Sequence, residues 1–184
     1  MLRCSYYNQG CNGGYSHLVS KFYKEYEILP SVCFDLQDRQ CHQKCKGQHQ
    51  NLNKLKFKVK DYYYVGGHFG AADENNLYEE LKKNGPFVVS IAPDYGFTSY
   101  SSGIYDSTTQ NWKTMKIEKP EWQKVDHSVL LVGYGIQDGI EYWKILNSWG
   151  AQWGERGLMR IIKGKNLINI ESLGEAATVE LIEN

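Results

Sequence analysis

Two apolar runs, HSVLLVGY at 127–134 and IEYWKILN at 140–147, flank the short segment GIQDG. β-Branched and aromatic residues on either side of a glycine-bounded turn specify an antiparallel hairpin. A five-residue loop over 135–139 sets Tyr134 opposite Ile140. In that register His127 lies directly across from Asn147 on the same face. A slip of one residue sends the two to opposite faces, so the pairing commits the chain to a definite geometry. A sheet must therefore form that carries an imidazole and an amide at one edge, yet no nucleophile stands beside them in sequence.

The rest of the chain fits an α+β protein. Fourteen tyrosines, five tryptophans and 18 glycines in 184 residues favour strands and loops over a helical bundle. Helical periodicity appears at 16–26, with Leu18, Val19, Phe22 and Tyr26 on one face. A second helix is expected over 73–84, acidic at its start, basic at its end and stopped by Gly85-Pro86. PFVVSIA at 86–92 reads as a buried strand, and GLMRIIKG and AATVELIE as further strands. Residues 93–124 are rich in loop signals, and 108–124 has no period, as expected of an exposed excursion.

Charge excludes some partners. Twenty-one basic residues balance 21 acidic ones. Recruitment of nucleic acid or an anionic membrane by bulk charge is therefore not expected. The lysine-rich stretch 42–60 reads as a solvated loop and strand edge. No run approaches the ~20 apolar residues of a membrane span. MLRCSYYNQG has neither the basic nor the apolar region of a signal peptide.

All five cysteines, Cys4, Cys11, Cys33, Cys41 and Cys45, fall in the first quarter of the chain. Such crowding suggests disulfides and an oxidising compartment. A zinc site built from Cys41, His42, Cys45 and His49 is the competing reading, although the spacing matches no strong zinc pattern. The count is odd, which leaves one cysteine unpaired, bonded elsewhere or acting as a nucleophile. None opens a convincing helix, and Cys11 is followed by two glycines, a poor first helical turn.

A histidine oriented by an asparagine amide keeps one tautomer, and suits a base that forms an ion pair with a thiolate. Trp149, two residues past Asn147, is placed to cover that hydrogen bond. The plainer reading is a strand-end histidine on the surface, against which the paired asparagine and nearby tryptophan weigh.

CNGG at 11–14, GPFVVSI at 85–91, DHSVLLVGYG at 126–135 and NSWGAQWGERG at 147–157 resemble the papain-like cysteine peptidases, in that family's order. YYYVGGHFGAADENNLYEEL at 62–81 and INIESLGEAA at 168–177 are similar to the dipeptidyl peptidases of the cathepsin C type. The resemblance covers essentially the whole chain. It implies a partial helical left lobe over 1–85 and an antiparallel, barrel-like right lobe over 86–184, together one incomplete catalytic domain. It makes His127 the general base, Asn147 its orienting residue, Trp149 the shield and Asp126 a neighbour at the cleft rim. Gly13 and Gly14 would pair with substrate as an added strand does. Tyr15 and Leu173 would line the S2 pocket. Tyr64 resembles a tyrosine near a bound chloride, the one cofactor implied. The companion aromatic positions are Tyr15 and His17, the second a departure from the pattern.

The implied disulfides are Cys4–Cys41 and Cys33–Cys45, with Cys11 bonded to a cysteine upstream of this chain. The family's nucleophile also belongs upstream, which would make Met1 an internal residue and this chain alone inactive. Expected partners are peptide or protein substrates, the upstream segment and an exclusion domain that confers dipeptide removal. No nucleic acid, membrane or metal is expected. The setting implied is lysosomal, vacuolar or secreted, with 108–124 a candidate for cleavage on maturation. The alternative is a catalytically dead papain-like module used for binding or regulation.

Overall fold

The computed structural model describes residues 4–33, 41, 44–45, 47–107 and 125–182. His42 and the 108–124 excursion lie outside them. In chain order the helices are α1 (Ser16–Glu25), α2 (Glu74–Asn84) and α3 (Tyr95–Thr98). The strands are β1 (Lys56–Tyr64), β2 (Phe87–Ile91), β3 (Ile104–Tyr105), β4 (His127–Gln137), β5 (Ile140–Leu146), β6 (Leu158–Ile162) and β7 (Gly174–Ile182). The architecture is α+β. No helix among the described residues is long and apolar enough to cross a membrane.

The chain forms two compact units, a larger one over 64–176 and a smaller one over 1–63 and 177–184. In the larger, the first residues of β7 pair with β2, and the order continues β2-β4-β5-β6-β3. β2 pairs antiparallel with both β7 and β4, as do β4 with β5 and β5 with β6, whereas β3 runs parallel to β6. Val89, Ile91, Leu131, Trp143, Ile145, Met159, Ile161 and Ile170 have no more than 2 % of their surface exposed, and with Leu77 and Phe97 they form the core. Burial of each such side chain is worth roughly 1.5–3 kcal/mol.

α2 forms where its ends are chemically marked. The Asp73 carboxylate accepts from the Asn76 backbone N–H (2.9 Å), and the Asn76 side chain accepts from the Asp73 N–H (2.9 Å), closing a capping box. Gly85 ends the helix at φ 86°, and Leu77 and Leu81 face the core. The observed helix begins one residue after the expected start because Asp73 is the cap.

In the smaller unit α1 buries only Phe22, which stacks on Tyr26 with centroids 4.6 Å apart. Leu18 and Val19, expected on the same apolar face, are only half-buried. β1 lies beside the remainder of β7. Disulfides join Cys4 to Cys41 and Cys33 to Cys45. A zinc site using Cys41 and Cys45 is thereby removed, because both thiols are consumed by different partners. Among the described residues no group of three or more His, Cys, Asp or Glu side chains could hold a metal.

The β4–β5 hairpin departs from the expected five-residue loop. Gln137 opposes Ile140 across a two-residue turn, Asp138-Gly139, with φ 52° and 79°. Asp-Gly favours that turn because both central residues take positive φ, which matches the strand twist. Tyr134 therefore opposes Trp143 rather than Ile140. This offset is odd, and by itself would put His127 and Asn147 on opposite faces. A bulge between Leu131 and Gly133 restores the parity, so that Leu131 opposes Ile145 and Leu130 opposes Leu146.

Candidate active site

His127 opens β4, where its backbone pairs with Ile91 and the Asp126 N–H donates to the Ile91 carbonyl (3.0 Å). Asn147 follows the last residue of β5, and its N–H donates to Gly157 O (2.9 Å). The amide reaches the imidazole diagonally rather than straight across. His127 Nε2 lies 2.9 Å from Asn147 Oδ1, and the Ser148 N–H donates to the same oxygen at 2.8 Å. Two partners converge on that atom, one of them a backbone donor, which identifies it as the amide oxygen. The Nε2 position then carries the proton and Nδ1 is the free face. Asn147 is 6 % exposed, and its Nδ2 has no partner among the described residues.

Aromatic rings enclose this pair. Trp149 lies 5.3 Å from the imidazole centroid at a 34° tilt, with 44 % of its own surface still exposed. Phe97, fully buried, stands 6.1 Å from His127, 5.3 Å from Trp149 and 5.1 Å from Trp153. Exclusion of water on these sides strengthens the His127–Asn147 hydrogen bond, since it acts in a lower dielectric. Phe97, Trp153 and Tyr100, which packs on Trp153 at 5.7 Å, were not singled out by the sequence. The available signals were weak: Asp94 three residues before Phe97, a helix cap, and Trp153 one helical turn's spacing beyond Trp149.

A second buried network anchors the strand that delivers Asn147. The Glu171 carboxylate, 6 % exposed, accepts from Trp143 Nε1 (2.8 Å), Gly164 N (2.7 Å) and Asn166 N (2.7 Å). It holds a loop in which Asn166, Ile168 and Asn169 all have positive φ. Glu171 stood out in the sequence only as part of a resemblance.

The remaining expected site residues are divided between the two units. Asp126 is exposed beside the base. Leu173 is buried, with its carbonyl accepting from Ser90 N (3.0 Å). Tyr64 packs edge-on against Phe69 (5.3 Å) in the larger unit. Gly13, Gly14, Tyr15 and His17 belong to the smaller unit. There Asn8 Oδ1 accepts from Tyr15 N (2.8 Å), and the Asn8 side chain fills the space a Cβ on Gly14 would need. Tyr15 and His17 form an aromatic pair at 5.7 Å. All five cysteines also lie in the smaller unit, where Cys11 is free and exposed. The larger unit thus holds an oriented imidazole and no thiol.

The sequence profile described as papain family cysteine protease matches residues 1–178. The chain belongs to that family. The papain-family chain is 38 % identical over 176 residues to "Cathepsin C" of Schistosoma mansoni, covering 95 % of this chain and 38 % of that protein. It is 27 % identical over 238 residues to "Dipeptidyl aminopeptidase 1" of Plasmodium falciparum (isolate 3D7), covering 94 % and 34 %. It therefore spans little more than a third of the length of these two relatives. Among solved structures, digestive procathepsin L 3 of Tenebrio molitor larval midgut superposes with a TM-score of 0.72 at 26 % identity, covering 96 % of this chain and 53 % of that one. Bromelain from Ananas comosus, at 22 % identity and a TM-score of 0.73, shares the fold.

Proposed function

We propose that these residues carry the base half of a cathepsin C-type dipeptidyl peptidase. The observation that carries the reading is the hydrogen bond from His127 Nε2 to an amide oxygen that also accepts from Ser148 N, with the Trp149 and Phe97 rings beside the imidazole. The nucleophilic thiolate is supplied by polypeptide outside these 184 residues: Cys4–Cys41 and Cys33–Cys45 are bonded, and Cys11 matches by resemblance a cysteine that pairs with the segment bearing the nucleophile. The thiolate attacks the peptide carbonyl, and the imidazolium gives its Nδ1 proton to the leaving amine. A water then hydrolyses the thioester, with His127 taking its proton. Asn147 keeps the ring in the tautomer this cycle needs. Gly13 and Gly14 offer backbone to the substrate as an added strand does. Removal of dipeptides rather than internal cleavage is supported by the likeness to "Cathepsin C" and "Dipeptidyl aminopeptidase 1". Two disulfides fit an oxidising compartment, lysosomal or secreted.

The test is hydrolysis of dipeptide amides with a free amino terminus, by the complete natural polypeptide and by residues 1–184 alone. The complete polypeptide should turn over, lose about 10²–10⁴ in rate on His127→Ala, and be silenced by thiol alkylation. The isolated chain should show none. Turnover by the isolated chain would refute an external nucleophile. An inert complete polypeptide would favour a binding module.

A further inference from the structure

Phe97, the buried ring behind the catalytic pair, rides on a helix of only four residues. One turn fixes several dihedrals for a single hydrogen bond and does not sustain itself. Its position must come from elsewhere, and two contacts supply it. Asp94 Oδ1 accepts from the Phe97 N–H at 2.8 Å, and the same oxygen accepts from the Tyr105 hydroxyl.

We propose that Asp94 and Tyr105 are positioning residues for the base, holding α3 so that Phe97 backs the His127 imidazole and the Trp149 indole. The proposal rests on the peptidase reading and adds to it two residues that touch neither substrate nor nucleophile.

The rigidity of the brace follows from its attachments. Tyr105 is 8 % exposed and sits on β3, paired with the fully buried Ile161 of β6. Its hydroxyl therefore reports the position of the sheet to Asp94. Burial, and then the hydrogen bond and charge of Asp94, raise the Tyr105 pKa, so the phenol stays a donor at any working pH. The approach is close as well as bonded. A Cβ on Gly96 would overlap the Tyr105 hydroxyl and stand 3.1 and 3.2 Å from its ring carbons. Glycine at 96 is thus what allows the phenol to lie against α3. On the other side, Phe97 fills the space between His127, Trp149 and Trp153. Any shift of α3 displaces that ring and loosens the imidazole.

A cap that merely stabilised the fold would lower the melting temperature without altering His127, so the test reads the imidazole directly. In the 184-residue chain, NMR of the imidazole should show a slowly exchanging Nε2 proton held by Asn147. Tyr105→Phe, which keeps the ring, should broaden or abolish it, as should Asp94→Ala. Asp94→Asn preserves an acceptor and should retain it. In the complete peptidase, Tyr105→Phe should lower kcat about tenfold with KM changed by less than about twofold. Gly96→Ala should impair both readouts in the parent, and less in the Tyr105→Phe background, where the obstructing hydroxyl is gone. Unchanged Nε2 signal and kcat in folded Tyr105→Phe would overturn the proposal, whatever happens to the melting temperature. A responding Nε2 proton in a polypeptide with no turnover would uphold the brace and refute the peptidase reading.

Discussion

Glu171→Gln isolates the anchor beneath the site. The substitution keeps volume and shape while changing what the two terminal atoms offer. In the parent, Oε1 accepts from the Trp143 indole and Gly164 N, and Oε2 accepts from Asn166 N, all within 2.7–2.8 Å. Glutamine retains one oxygen for the first two donors. The other atom becomes an NH₂ facing the Asn166 N–H, donor against donor, where almost no water enters. One charge-assisted hydrogen bond is lost and a buried donor is stranded, together about 2–4 kcal/mol. The loop it secures also carries positive φ at Asn166, Ile168 and Asn169. Such backbone persists only when its surroundings hold it, at about 1–3 kcal/mol for each residue. At 2–4 °C per kcal/mol for a chain of this length, the melting temperature should fall by roughly 5–15 °C. Calorimetry on the oxidised chain measures this, and near-UV circular dichroism should report a loosened Trp143. A drop of under about 2 °C would refute the claim that the carboxylate organises this loop.

Glu155 is held below the usual carboxylate pKa, first by its hydrogen bonds from Arg160 and further by the Gly103 N–H. Its folded-state pKa is depressed, so its stabilisation is complete above the unfolded value near ~4.3 and is lost as pH falls through the lower folded value. Acid titration of the melting temperature should show this limb, and Glu155→Gln should flatten it. Replacing both Cys4 and Cys41 by serine opens a closure of 37 residues' separation, and should cost about 4 kcal/mol in chemical denaturation. Asp73→Ala removes the α2 cap, and should cost about 0.5–2 kcal/mol with no change in the His127 imidazole signals.

Much of the framework could be read in one dimension because its causes are local. α2 is bounded by a cap at Asp73 and a stop at Gly85-Pro86, both properties of adjacent residues. The hairpin shows in two β-rich runs around a turn, because strand propensity and turn chemistry are local. Membership of the papain family was visible in the stretches around Cys11, His127 and Asn147. What sequence could not decide was how these pieces meet. The turn closes on Asp138-Gly139, and only the bulge after Leu131 restores the parity that brings imidazole and amide to one face. A bulge is chosen by the packing of neighbouring strands, and a local pattern carries no mark of it. Phe97, Tyr105 and Glu171 became part of the site for the same reason. Phe97 meets the rings of His127 and Trp149, and Glu171 the indole of Trp143, across intervening strands, and Tyr105 reaches Asp94 from another element. Residue type sets what such a contact could be worth, and only the folded geometry decides whether it is made.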